Sequence, residues 1–309
     1  MDLRQIMSFM SIYEERNFSR AAQRTGTVQP ALSMQIKRLE EEFGIPLFER
    51  GSRGVVPTNH GKAFYRLCEP IRRDVARARQ QMAERARPDE MIGSIRCGLP
   101  PTVFKAVLGP VVADLLAKYP HLDFAMREGF PATVSSWVLD GEVDIGMGSW
   151  RSDLPGLEHS MVYEEEVVLV SSTPRNSDRF AECTLSDLGG IKLMISSERQ
   201  LLGRVLAELI GKGQLQPAQT MVVESFLGII SIAQHSDWCA FVPVTGILDE
   251  LVDTGLSFHR ITDQSLTLPW HVVHRRGEEM TTPCRTFVSR IIDGLEARKK
   301  HFHEVINGT

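Results

Sequence analysis

Apolar positions recur at helical spacing through roughly the first ninety residues, then give way to short apolar runs separated by helical stretches. Leu3, Ile6, Met10 and Tyr13 form one stripe and predict a helix over 2–16, broken by Asn17-Phe18-Ser19. Ser19 is placed to cap a short helix through Arg24, which Gly26 ends, and Ala21 and Ala22 keep that helix thin. Leu32, Ile36, Leu39 and Phe43, spaced four, three and four, predict a third helix starting near Gln29. Thr27 is placed to cap it, and Pro30 falls in its first turn, where a missing N–H costs little. Gln29, Ser33 and Lys37, with Met34, Gln35 and Arg38 beside them, point away from the apolar stripe.

Gly44-Ile45-Pro46-Leu47-Phe48 ends that helix and starts a strand, and Val55-Val56-Pro57 is the return strand. Between them Glu49-Arg50-Gly51-Ser52-Arg53-Gly54 reads as a glycine-rich turn carrying two arginines. Short helix, tight turn, amphipathic helix and basic hairpin together make a winged helix-turn-helix. Geometry alone also fits a generic pair of core helices without a ligand. A short face of amides, a hydroxyl and basic groups suits base edges and phosphates in a DNA major groove.

From Asn59 to Arg87 the pattern predicts one helix, roughly 40 Å long. Phe64, Leu67, Ile71, Val75, Ala78 and Met82 run along it as a coiled-coil seam, which needs a partner helix and so implies a homodimer. Its arginines, among them Arg72, Arg73 and Arg77, read as a solvated face.

After the linker Arg87-Pro88-Asp89-Glu90 the pattern becomes α/β. Strands are expected at Ser94–Leu99, Leu122–Arg127, Val143–Met147, Val167–Ser171, Lys192–Ile195, Met221–Val223, Cys239–Val242 and Trp270–His274. Helices are expected at Pro101–Lys118, Pro131–Leu139 and Arg199–Ile210, from Phe226, and from Thr281 to about Ile306. Ligands of such sheets sit beyond the carboxyl ends of strands. That rule selects Pro101, Thr102, Phe130, Ser149, Ser196, Ser197, Phe226 and Thr245 as effector-contacting residues. Hydroxyls, backbone N–H groups and aromatics there suit a small organic anion; Arg199 and Arg204 are the nearest arginines, but each reads better as a surface helix arginine than as the anion's partner.

Charge sharpens the division. Residues 1–90 hold 16 Lys+Arg against 12 Asp+Glu, while the remainder is acidic and the whole chain carries −4. A mildly basic head on an acidic body fits nucleic-acid binding by the head. No apolar run has the length of a membrane span and the N-terminus lacks a signal-peptide core, so a cytoplasmic protein is expected. Five scattered cysteines without a CxxC pair read as reduced, mostly buried thiols, with a Cys183–Cys239 redox switch the less supported reading. GxSxG, Walker and HExxH motifs are absent, which speaks against an enzyme, a cofactor or a metal. Glu164-Glu165-Glu166 reads as a solvated run, and Glu40-Glu41-Glu42 sits unfavourably near a helix C-terminus.

The runs Phe18-Ser19-Arg20-Ala21-Ala22, Gln29-Pro30-Ala31-Leu32-Ser33, Ile36-Lys37-Arg38-Leu39-Glu40 and Leu47-Phe48-Glu49-Arg50, with Gly44, Thr58 and Gly61, closely resemble the N-terminal domain of LysR-type transcriptional regulators. The resemblance implies residues 1–58 as a DNA-binding winged helix-turn-helix and 59–89 as a dimerisation helix. It further implies 90–309 as a bilobal α/β domain like the periplasmic binding proteins, with lobe I near 90–165 and 268–309 and lobe II near 166–267. Gln29, Pro30 and Ser33 would then lie at base edges, with Met34 beside them among the DNA-binding residues, and Lys37, Arg50, Arg53 and Thr58 nearer phosphates or the minor groove. Promoter DNA, a small-molecule effector and further copies of the chain, up to a tetramer, become the expected partners, with RNA polymerase an additional candidate. Thr25 stands where the family usually has leucine, and Val28 where it has Ser or Thr, so a hydroxyl contact beside Gln29 would have to come from Thr27. Two other readings stay open: a solute-binding protein with an incidental helical head, and an enzyme in the α/β half.

Overall fold

A computed structural model describes residues 1–51, 54–86, 91–150, 154–172, 180–251 and 255–307. The chain divides into two compact units, Met1–Arg85 and Ala86–Thr309.

In the first unit, α1 (Leu3–Glu15) begins with a reciprocal capping box. Asp2 accepts from the Gln5 N–H at 2.8 Å, and the Gln5 side chain accepts from the Asp2 N–H at 2.8 Å. The next helix, α2 (Phe18–Arg24), is capped by Asn17 rather than Ser19; the Asn17 side-chain oxygen Oδ1 accepts from the N–H groups of Ser19 and Arg20. Thr27 does not cap α3 (Gln29–Phe43). Val28 occupies that position without a side-chain bond, and Pro30 in the first turn leaves one fewer N–H to satisfy. Leu32, Ile36 and Leu39 are buried with Ile6, Phe9, Ala21 and Ala22, as the stripe requires.

The wing is an antiparallel pair, β1 (Phe48–Gly51) and β2 (Gly54–Pro57), in register Phe48 to Pro57. It runs into α4 (Asn59–Ala86), which continues through Pro70 although that residue cannot donate to the Arg66 carbonyl. Along the expected seam, Phe64 belongs to the core of the unit instead, its ring 4.7 Å from Phe9 and 5.1 Å from Phe43. From Leu67 onward the seam is open, with Leu67 69 % and Met82 62 % exposed.

The second unit opens with β3 (Gly93–Leu99). Its first helical run is α5 (Pro101–Val103), a π turn over Phe104–Leu108, and α6 (Gly109–Lys118). Pro110 offers no N–H to the turn before it, which accounts for the widening. Then follow β4 (Leu122–Glu128), α7 (Pro131–Asp140), β5 (Ile145–Gly148), β6 (Leu157–Ser171), β7 (Phe180–Cys183), β8 (Lys192–Ile195) and α8 (Leu201–Gly211). The chain continues through β9 (Gln219–Val222), α9 (Phe226–His235), β10 (Trp238–Pro243), β11 (Ser257–Ile261), β12 (Thr267–Arg275) and α10 (Thr282–Asn307).

Strand order is β4-β3-β5-β12-β6-β10-β8-β9, with β11 beside β6 and β7 beside β11. Parallel β3, β4 and β5 form one half and parallel β8, β9 and β10 the other, each paired to antiparallel β6 or β12. The 15-residue β6 joins them: 157–166 pair with β12, and 167–171 with β10 and β11. Only its second half was expected. The first half hides in Glu164-Glu165-Glu166, which is not a solvated run but strand: Glu164 is exposed while Glu165 is fully buried, the two-residue alternation of a pleat.

Candidate nucleic-acid interface and effector cleft

On α3, Gln29, Pro30, Met34 and Lys37 are exposed and Ser33 is half-buried. Ser19 donates to the Gln29 side-chain carbonyl at 2.9 Å, tying the start of α3 to that of α2 and leaving the Gln29 amide nitrogen as an outward donor. Gln35, expected beside the groove-facing set, turns to α1 and accepts from the Ser8 hydroxyl.

The acidic C-terminus of α3 has partners after all. Glu40 accepts from the N–H groups of Leu47 at 2.7 Å and Phe48 at 3.1 Å, latching the helix to the wing. Glu42 holds the N-terminal ammonium at 2.7 Å, and Glu41 lies 3.5 Å from Lys37. The last pair is well exposed on both sides and leaves Lys37 able to leave for a phosphate.

The Thr58 hydroxyl donates to the Pro46 carbonyl at 2.8 Å and accepts from the Gly61 N–H at 3.0 Å. It starts α4 and seats it on the wing. Arg50 lies in β1, with nothing described of its side chain, and Arg53 lies outside the described residues.

In the second unit, Pro101, Thr102, Phe130, Ser149, Ser196 and Phe226 line one cavity of about 110 Å³. They come from strand ends of both halves, as the carboxyl-end rule anticipates. Ser197 and Thr245 are not in the lining. Thr245 is buried, its N–H 3.2 Å and its hydroxyl 2.5 Å from the two carboxylate oxygens of Glu165. Arg199 and Arg204 are also absent from the wall.

Residues that the sequence reading missed complete the lining, chiefly Trp270, Gln200 and Glu224. Trp270 stood at the start of a recognised strand, so its proximity was a readable signal. Gln200 and Glu224 meet only across the fold, where the Gln200 amide donates to the Glu224 carboxylate at 2.7 Å. Hydrogen bonding from Ser197 and then Gln200 holds the Glu224 carboxyl below its usual range.

Glu165 behaves oppositely. Burial pushes its carboxyl up to about 7, against the opposing hydrogen bonds from Thr245 and the charge of Lys299, with Glu166 adding to the rise. A carboxyl that binds its proton more tightly when folded stabilises most at low pH and loses that contribution as pH climbs from about 4.5 to about 7. The loss is about 3 kcal/mol. Glu165→Gln is therefore expected to flatten the pH dependence of stability across that window. Denaturant melts at pH 5 and pH 7.5 check this, and an unchanged slope in the variant would refute it.

Among the described residues no helix is long and apolar enough to cross a membrane, and no cluster of His, Cys, Asp or Glu is arranged to hold a metal. All five cysteines are buried thiols, and burial raises those of Cys68 and Cys97.

A winged helix-turn-helix with an open polar recognition face, followed by an α/β unit with a walled cleft, defines a ligand-controlled DNA-binding protein. Residues 3–62 match the bacterial regulatory helix-turn-helix proteins of the lysR family, and residues 88–296 match the LysR substrate binding domain. The chain belongs to the LysR family of DNA-binding transcriptional regulators. A probable cat1 operon transcriptional activator from Acinetobacter lwoffii is 30% identical over 240 residues, covering 75% of this chain and 78% of that one. The transcriptional regulator BenM of Acinetobacter baylyi is 25% identical over 285 residues, 91% of this chain and 92% of its own. Among solved structures, an OxyR mutant from Corynebacterium glutamicum shares the fold with a TM-score of 0.68 at 19% identity, covering 98% of this chain and 95% of that one.

Proposed function

We propose that the chain acts in the cytoplasm as a homodimer, or a pair of dimers, that sets two α3 helices on a pseudo-palindromic promoter site. Residues 1–58 read DNA, 59–89 pair the chains, and 90–309 respond to a small molecule in the cleft. The observation that carries this reading is the polar face of α3, exposed at Gln29, Pro30, Met34 and Lys37 and anchored at both ends by Ser19 and Glu40. Effector binding acts through its different affinity for two arrangements of the α/β halves. Those arrangements change how the bound dimers bend DNA and admit RNA polymerase. Catalysis plays no part in this function.

Gln29→Ala or Ser33→Ala is expected to cost about 1–3 kcal/mol on the cognate site and to relax base preference. Lys37→Ala is expected to weaken all sequences alike and reduce the salt slope. Gel-shift titrations on DNA upstream of the coding sequence, with and without competitor and at several salt concentrations, separate the two behaviours. Equal loss of specificity from both kinds of variant would contradict the assignment of the face. Failure of any specific complex to survive competitor DNA would contradict the function.

A further inference from the structure

The wall of the cleft is chemically lopsided. Pro100, Pro101, Pro131 and Pro243 all line it, at the strand ends and helix starts where backbone N–H groups otherwise gather around an anion. None of the four has an N–H. Of the donors that follow, the N–H groups of Val103 and Phe104 go to the Pro100 carbonyl, and those of Thr133 and Val134 to the Phe130 carbonyl. Among the described lining residues the only charged side chain is Glu224, an ionised carboxylate at the exposed rim, which repels an anion.

Two buried polar atoms of the wall have no partner within the protein, the Trp270 Nε1–H and the Ser196 Oγ. Trp270 is 3 % exposed, and its indole can only donate. A ligand that satisfies it must bring an acceptor. The size is bounded too: at about 110 Å³ the cavity is smaller than the dry apolar cavity of about 150 Å³ that takes benzene, so one ring is the upper limit for the part of a ligand inside it.

On the reading of this cleft as the effector site, we propose that the effector is an uncharged, predominantly apolar molecule of about one ring. It carries a carbonyl or ether-type oxygen that accepts from Trp270 and Ser196. The organic anion expected from the strand-end rule is replaced by a neutral acceptor, because proline removes four of the amides around the cleft and the one charged side chain of the described lining is acidic. Glu224, already bonded by Gln200, guards the rim against carboxylates.

Three ring-sized probes test this on the full-length protein: benzamide and benzoate, which are near-isosteric and differ chiefly in charge, and benzylamine, a cation without a carbonyl acceptor. Isothermal titration calorimetry and thermal shift give their affinities in wild type and in Trp270→Phe, which keeps a ring and removes the donor. Benzamide is expected to bind at least tenfold more tightly than benzoate or benzylamine, and to lose about tenfold in Trp270→Phe. Benzoate or benzylamine binding as tightly as benzamide would overturn the neutral class while leaving the cleft as a ligand site. Benzamide affinity unchanged in Trp270→Phe would overturn the acceptor assignment, and failure of all three to bind would overturn the ring-sized class. Gel shifts of the same preparations keep these outcomes distinct from failure of the DNA-binding function itself.

Discussion

The double substitution Leu67→Glu/Ile71→Glu is expected to yield a folded monomer that has lost 10²–10⁴-fold of its operator affinity, about the avidity of a tethered pair. Leu67 is 69 % exposed and Ile71 38 %, so neither supports the core of its own unit, which ends at Phe64 and Cys68. With Met82 they continue one face of α4 that has apolar surface and no described cover. Glutamates at both positions would set like charges against each other across a two-fold axis. A single head offers few basic contacts, since residues 1–90 carry only four more basic than acidic side chains, 16 against 12. Two heads on one duplex are what make weak contacts into tight binding. Sedimentation velocity and gel shift read the two effects together, and a variant that stays dimeric would show that the seam is not the interface.

Gly61→Ala is expected to destabilise the DNA-binding unit by about 2–3 kcal/mol, roughly 10 °C or more in Tm for a domain of this size. A Cβ at Gly61 would lie 2.2 Å from the Leu47 carbonyl oxygen and 3.2 Å from its carbon, both backbone atoms. That carbonyl also accepts from the Thr58 N–H at 3.0 Å, so it cannot move without breaking the junction of wing and α4. Gly44→Ala provides the contrast. Gly44 has φ of +69° but nothing within 4 Å of a Cβ, so only backbone strain of about 1–2 kcal/mol applies. Thermal melts of the two variants check the ranking, and a Gly61→Ala protein as stable as wild type would remove the close approach from the explanation.

The elements that announced themselves were those whose pattern reports burial directly. The four-three-four spacing of Leu32, Ile36, Leu39 and Phe43 needs no partner to be read, and the apolar run Leu193–Ile195, with Lys192 before it, has the bounds of β8. Caps were less legible: Ser19, Asn17 and Thr27 are all acceptable capping residues, and only the backbone angle decides among them. The first half of β6 was hidden because its exposed face is acidic, leaving Glu165 inside a run that looks solvated. Its partner Thr245 is 80 residues away, and Thr245 looked like a cleft residue for the same reason that it is buried: its hydroxyl sits at a strand end, but aimed at a carboxylate rather than the cavity. Strands β7 and β11 pair mainly with each other and with β6, so neither carries a pattern strong enough to stand alone. In the cleft, position relative to strand ends was readable for Thr102 and Phe226, whereas the charge of the wall depended on which side chains meet there.

Selection of binding sites from a random-sequence DNA duplex library by the full-length protein tests the function most directly. The expected product is an inverted repeat with half-sites about one helical turn, roughly 10 base pairs, or a multiple of it apart. The same selection with Gln29→Ala should blur the same position in both halves. Enrichment of a single unpaired half-site, or of no motif, would contradict a paired, DNA-reading α3.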